Sequence, residues 1–210
     1  MKMRKNKTKA FMSASSLCRL AVLCSLALTQ SVLAQDPAAL PIRAALEQTE
    51  VNGLHKFYRV NEHIYRSAQP TREGLQALPK LGIKTVIDLR GASERSGEAQ
   101  LLEAMGIKYI NIPMPPLGAP SLESVKQALA LLTDQGAWPI LVHCERGSDR
   151  TGTVIACLRI SQDGWSNQRA LDEARQLGLT SIQTAKKHFI LNWPASATAS
   201  SVPARAGQAN

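Results

Sequence analysis

The sequence predicts an α/β fold, a mostly parallel central sheet flanked by helices and entered through an N-terminal β-hairpin. Three observations carry that expectation. Residues 57–60 and 63–66 are strand-like runs on either side of Asn61 and Glu62, a two-residue turn. Residues 85–90 and 107–112 are short apolar runs, each set between stretches of helical period. Residues 139–142, Pro-Ile-Leu-Val, lead through a tight loop containing Gly147 straight into the helical run at 153–158.

The elements between follow in order. Thr71 is placed to cap a helix carrying Leu75, Leu78 and Leu81, closed by Gly82. Residues 96–105 have helical character and stop at Gly106. Residues 113–120 hold four prolines and suit neither helix nor strand. Ser121 caps an amphipathic helix with Leu122, Val125, Leu129 and Leu132 on one face. Ser166 caps another, bearing Ala170, Leu171, Ala174 and Leu177, and residues 181–192 form a last helix.

The two ends differ from this core. Lys2, Arg4, Lys5, Lys7 and Lys9 precede an apolar stretch at 17–28, and Val32-Leu33-Ala34 is a small-residue cleavage pattern. Residues 1–34 are therefore expected to be a signal peptide, with the mature protein periplasmic or secreted from a bacterium. Arg19 interrupts the apolar core, which is too short to span a bilayer, so no stable membrane insertion is expected after cleavage. Residues 35–50 suit a flexible leader, residues 51–193 the folded domain, and the Ala/Ser-rich residues 194–210 a disordered tail.

Charge and cysteine usage exclude some functions. The whole chain is +9, but six basic residues lie in 1–34, leaving 19 against 16 acidic and a net +3. A nucleic-acid partner is not implied by that balance. Only Cys144 and Cys157 follow residue 34, and one in a loop with the other in the ensuing helix are poorly placed for a disulfide. Cys157 suits a small core residue. No metal-ligand cluster and no cofactor motif stands out.

The chemistry concentrates in residues 143–152, His-Cys-Glu-Arg-Gly-Ser-Asp-Arg-Thr-Gly. A cysteine opening a strand-to-helix loop faces backbone N–H groups and a helix dipole, both of which favour a thiolate. The same N–H groups, from Glu145, Arg146, Gly147 and Ser148 onward, can cradle a phosphate dianion. Arg150, six residues beyond Cys144, can grip two phosphate oxygens through its planar fork. A nucleophile, an anion cradle and a clamp in ten residues imply phosphate-ester hydrolysis.

This loop resembles the His-Cys-x5-Arg-Ser/Thr signature of the cysteine-dependent protein tyrosine and dual-specificity phosphatases, matched by His143, Cys144, Arg150 and Thr151. The resemblance covers most of 52–193 in element order, and is closest to small exported bacterial enzymes of this superfamily. It implies Cys144 as nucleophile through a phosphocysteine, Thr151 as a donor to its sulfur, and His143 as a support for the loop. Segments 65–70 and 88–90 are also similar to those relatives, where they lie near the catalytic loop. Arg66 and Arg90 are accordingly expected either to hold the loop or the substrate, or to sit in solvent or surface ion pairs. Many relatives carry an aspartate acid on a separate loop, but residues 113–121 contain no Asp or Glu. Asp149, as in similar Cys-x4-Asp-Arg-Thr loops, is the candidate acid, with its helix-capping role as the alternative; Glu94 and Glu98 are further candidates.

Glu145 and Arg146 give the loop a nearly neutral rim, which favours phosphotyrosine, with phosphoserine or phosphothreonine secondary, in a phosphorylated protein or small phosphomonoester. Inositol polyphosphates or phosphoinositides are the alternative. A rhodanese-like sulfurtransferase is a distant one, since its loop is usually one residue shorter. A binding-only module would need a damaged nucleophile or clamp, and both are intact.

Overall fold

The structure, a computed structural model, describes residues 47–48, 50–91 and 97–195. The expected signal peptide, nearly all of the leader, residues 196–210 of the tail and the acid candidate Glu94 lie outside the described residues.

Among the described residues the sheet has six strands in the order β1-β2-β3-β6-β4-β5. β1 (Glu47–Gln48) and β2 (Tyr58–Arg59) pair antiparallel, as do β2 and β3 (Ile64–Ser67). From there the pairing is parallel: β3 with β6 (Ile140–His143), β6 with β4 (Thr85–Asp88), and β4 with β5 (Lys108–Asn111). The expected parallel sheet with an N-terminal hairpin is thus observed, with one addition. Glu47 and Gln48, within the expected leader, join the edge of the hairpin by pairing with β2.

β4 and β6 are buried along their whole length because both of their faces are covered. Side chains alternate between faces, so Val86 and Leu141 join Leu54, Phe57, Leu75, Leu78 and Leu102. α1 (Arg72–Ala77) and α2 (Glu98–Ala104) supply that layer. Ile87, Ile140 and Val142 face the opposite way, into a core built with α3 (Leu122–Leu132), α4 (Asp149–Gln162), α5 (Asn167–Gln176) and α6 (Thr184–Leu191). α4 is the central helix, and every residue from Asp149 to Ile160 is buried.

The expected caps form: Thr71, Ser121 and Ser166 accept from the N–H groups of Gly74, Ser124 and Arg169. Two helices are shorter than their periodicity suggests. α1 stops at Ala77, because Pro79 has no N–H to donate back to the preceding turn. α6 begins only at Thr184, because residues 180–183 form a turn closed by the Gln183 N–H donating to the Thr180 carbonyl at 3.2 Å.

The register sets the functional end. Ser67 of β3 and Asp88 of β4 both align with His143 of β6. Cys144 is therefore one residue beyond the carboxyl end of the central strand, where open α/β sheets bind their ligands.

Candidate active site

Cys144 leaves β6 buried, and five residues later Asp149 opens α4. The loop between is tied to the exit of β3. Gln69 N–H donates to the Glu145 carbonyl at 3.0 Å, and Arg66 Nη2 donates to the Gly147 carbonyl at 2.6 Å. Gly147 has φ +67°, and a Cβ there would meet Ala68 N at 2.5 Å and the Ser67 carbonyl at 2.6 Å. Only glycine allows both that backbone and that approach. Arg66 is accordingly a fully buried brace and not a surface hairpin residue.

The charged side chains of the loop pair with one another. Arg150 Nη2 lies 3.6 Å from Glu145 Oε2, with the Arg150 side chain 4% exposed and that of Glu145 61%. Arg146 pairs with Asp149 Oδ2. Asp149 Oδ1 accepts from Thr180 N–H at 3.0 Å and from Thr180 Oγ1 at 3.2 Å. Asp149 is therefore fixed at both oxygens, by its own loop and by the segment before α6. Ser148 Oγ accepts from Lys56 Nζ at 2.7 Å, and Lys56 itself adopts a left-handed backbone, φ 51°. Thr151 Oγ1 is buried with no hydrogen-bond partner among the described residues. The donation from Thr151 to the cysteine sulfur implied by the resemblance is thus not made in this structure.

A buried polar cluster underlies the strand ends. Arg90 donates from Nε to Asp88 Oδ1 and from Nη2 to Asp88 Oδ2, each at 2.9 Å, and also pairs with Glu98. Tyr109 Oη donates to Asp88 Oδ2 at 2.7 Å. His143 Nδ1 lies 3.4 Å from the Cys144 carbonyl oxygen, while its Nε2 faces Glu98 Oε2 at 3.8 Å and Asp88 Oδ1 at 4.0 Å. Burial opposes ionisation of Asp88, but its bonds to Arg90 and Tyr109 and the nearby His143 hold it below the usual carboxylate range. Burial pushes Glu98 up to about 7 and His143 down to about 4. Arg90 is thus buried in this cluster and, like Arg66, is no solvent-facing residue. Asp88, Glu98 and His143 come together in a way the sequence did not suggest. The cation among them is the Arg90 guanidinium, which already pairs with both carboxylates. Glu98, the further acid candidate, is buried within this cluster, paired with Arg90 and facing His143.

The proline-rich loop is anchored from α6. Lys186 is buried and its Nζ donates to the carbonyls of Pro115, Pro116 and Gly118 at 3.2, 3.0 and 2.8 Å. Gln183 Nε2 adds a bond to the Pro116 carbonyl at 2.8 Å. Lys56, Thr180, Gln183 and Lys186 were not singled out from the sequence. Nothing in their local pattern separates them from ordinary polar residues, because their acceptors lie 31 to 92 positions away. Cys157 lies in the core of α4, where burial drives its thiol well up, so Cys144 is the cysteine suited to nucleophilic attack.

The geometry is that of a cysteine and an arginine on a braced strand-to-helix loop. Residues 39–192 match the model of PTP-NADK, the DSP-PTPase phosphatase fused to NAD+ kinase. The chain belongs to this family. Among its relatives, OCA1 of Mycosarcoma maydis, a candidate tyrosine-protein phosphatase, is 36% identical over 140 residues, 63% of this chain and 83% of that protein. The dual specificity protein phosphatase TpbA of Pseudomonas aeruginosa is 29% identical over 122 residues, and the chain spans only 54% of its length. The core catalytic domain of the PP-IP phosphatase SIW14 from Saccharomyces cerevisiae superposes with a TM-score of 0.62 at 27% identity. That match covers 69% of this chain and 89% of the domain. This DSP-PTPase is therefore a phosphatase of the tyrosine and dual-specificity type, with the central mostly parallel sheet of those relatives.

Proposed function

We propose that the chain hydrolyses esters carrying a single phosphate group, with phosphotyrosine the preferred class and phosphoserine or phosphothreonine secondary. The observation that carries this reading is the charge balance of the catalytic loop. Glu145 stands against Arg150, and Arg146 against Asp149. Each loop cation has a carboxylate beside it, so one dianion is gripped by Arg150 and the loop N–H groups with no surplus cation for further phosphates.

In the first step the Cys144 thiolate attacks phosphorus in line, forming the S–P bond as the P–O bond to the leaving group breaks. Arg150 and the N–H groups of Glu145, Arg146, Gly147 and Ser148 hold the equatorial oxygens. With Arg146 swung away and Asp149 in its carboxylic acid form, Oδ2 passes its proton to the leaving oxygen, Oδ1 being held by Thr180. Asp149 then takes a proton from water, whose oxygen attacks phosphorus and releases phosphate and the thiolate. Inositol polyphosphates form the second substrate class, supported by the likeness to SIW14 and by the exposed Lys56 beside Ser148. The lysine-rich start and the apolar stretch of residues 1–34 support action in the periplasm or outside the cell.

The test is hydrolysis of p-nitrophenyl phosphate, a phosphotyrosine peptide and inositol hexakisphosphate by the reduced protein, beside Cys144→Ser and Asp149→Asn. The reading expects the peptide to be preferred and turnover to vanish in the serine variant. It also expects the asparagine variant to lose more rate on the phosphotyrosine peptide than on p-nitrophenyl phosphate, whose leaving group needs less protonation. Preferred turnover of the inositol phosphate would overturn the substrate assignment, and full activity in Cys144→Ser the mechanism.

A further inference from the structure

Two polar atoms beneath the catalytic strand lack what their burial demands. His143 Nε2 and Glu98 Oε1 are sealed from solvent with no hydrogen-bond partner among the described residues. The two side chains face each other through the other carboxyl oxygen, His143 Nε2 lying 3.8 Å from Glu98 Oε2, which also accepts from Arg90.

The surroundings determine which of them holds a proton. From β4 and the residues following it, Asp88 and Arg90 face the pair; Tyr109 does so from β5; Arg150 acts on His143 from α4. Asp88 and Arg90 bind each other at two points and cancel in charge. The Tyr109 proton is donated to Asp88. One guanidinium therefore serves two carboxylates, and a second negative charge at this depth is unfavourable unless Glu98 keeps its proton. On the imidazole, Nδ1 faces the Cys144 carbonyl at 3.4 Å, an acceptor, so the ring hydrogen belongs there. Nε2 is then a bare lone pair in need of a donor. Asp88, 4.0 Å away, is ionised and can only accept. Burial acts in the same direction on both partners, raising Glu98 to about 7 and lowering His143 to about 4.

We propose that Glu98 is a positioning residue of this phosphatase, its carboxyl proton directed at His143 Nε2 so that the ring is held as the Nδ1–H tautomer bracing the Cys144 carbonyl. A side-chain displacement of about 1 Å brings the two within hydrogen-bond range. Glu98 touches neither substrate nor sulfur; it acts through His143 on where Cys144 sits. Its loss should lower kcat and leave KM nearly unchanged.

The test uses the full-length mature protein labelled with ¹⁵N-histidine, under reductant at pH 6. The imidazole nitrogen shifts report the tautomer directly, with no substrate involved. Wild type and Glu98→Gln should both show a neutral His143 protonated at Nδ1, because the glutamine amide supplies the missing donor. Glu98→Leu should lose the single tautomer, with kcat on p-nitrophenyl phosphate reduced about tenfold or more and KM within about twofold. An alkaline fall in kcat centred near 7 should be present in wild type and absent in Glu98→Gln. A protonated Nε2 or an imidazolium in wild type overturns the proposal, as does a leucine variant with the wild-type tautomer. If the leucine variant does not fold, wild type and the glutamine variant decide. Only the kinetic arm rests on the proposed hydrolysis, so an unsuitable substrate leaves the tautomer result standing.

Discussion

The Arg66 guanidinium and the Gly147 carbonyl are joined at 2.6 Å across 81 positions of sequence, and the bond fixes the turn of the catalytic loop. A buried cation on this carbonyl orients the peptide plane, and with it the N–H groups that neighbour a bound phosphate. Replacing Arg66 with Met leaves the carbonyl buried and unpaired. The expected cost is about 1–3 kcal/mol of stability, with a fall in kcat/KM, read by urea unfolding and p-nitrophenyl phosphate kinetics. Unchanged values in both would remove Arg66 from the loop's support.

Gly147→Ala tests the same corner from the other side. The new Cβ would sit 2.5 Å from Ala68 N at a left-handed backbone, so β3 or the loop must move. Strain of about 1–3 kcal/mol is expected, and activity should drop further than stability does. A crystal structure of the variant with the loop unmoved and full turnover would count against this account.

Glu145→Lys converts the acid facing Arg150 into a second cation at the rim. Hydrolysis of inositol polyphosphates should increase relative to phosphotyrosine peptide, and that gain should shrink as salt rises from 50 to 200 mM, roughly the range over which exposed charges become screened. A ratio of specificities identical to wild type would show that Glu145 does not select substrate.

Glu98 and His143 set opposing pH dependences of stability. The folded Glu98 value of about 7 lies above its ordinary 4.5, so its contribution is complete below 4.5 and is lost as pH rises through 7. The folded His143 value of about 4 lies below 6.5, so its contribution is complete above 6.5 and is lost as pH falls through 4. Between 4.5 and 6.5 the two slopes oppose. Glu98→Gln removes one of them, so the variant's Tm should fall more steeply than wild type as pH is lowered from 6.5 to 4. Parallel Tm profiles would show that neither group is coupled to folding in this way.

Lys186→Met keeps the length of the side chain and deletes its four bonds to Pro115, Pro116, Gly118 and Gln183. The carbonyls it leaves should cost about 1–3 kcal/mol. Hydrogen exchange should then rise at Leu117, Gly118 and Ala119 while the N–H groups of β6 stay protected.

Much of this was decided by local chemistry and is visible in the chain itself. The apolar triplet Ile140-Leu141-Val142, the caps at Thr71, Ser121 and Ser166, and the glycine stops are short-range constraints, so strands, helices and their order follow from the sequence. Cys144, Gly147 and Arg150 are likewise legible, because a loop between one strand and one helix places its residues by spacing alone. The sequence could not decide which distant groups close around that loop. Arg66 on Gly147, Lys56 on Ser148, Thr180 on Asp149 and Lys186 on the proline loop are pairings across 31 to 92 positions. Burial decided the rest: Arg90 and Glu98 are surface-like residue types that the packing of β4, β5 and α2 sealed beneath the strand ends. Desolvation acts only on a packed assembly, so the upward shift of Glu98 and the downward shift of His143 belong to the tertiary structure and not to the sequence.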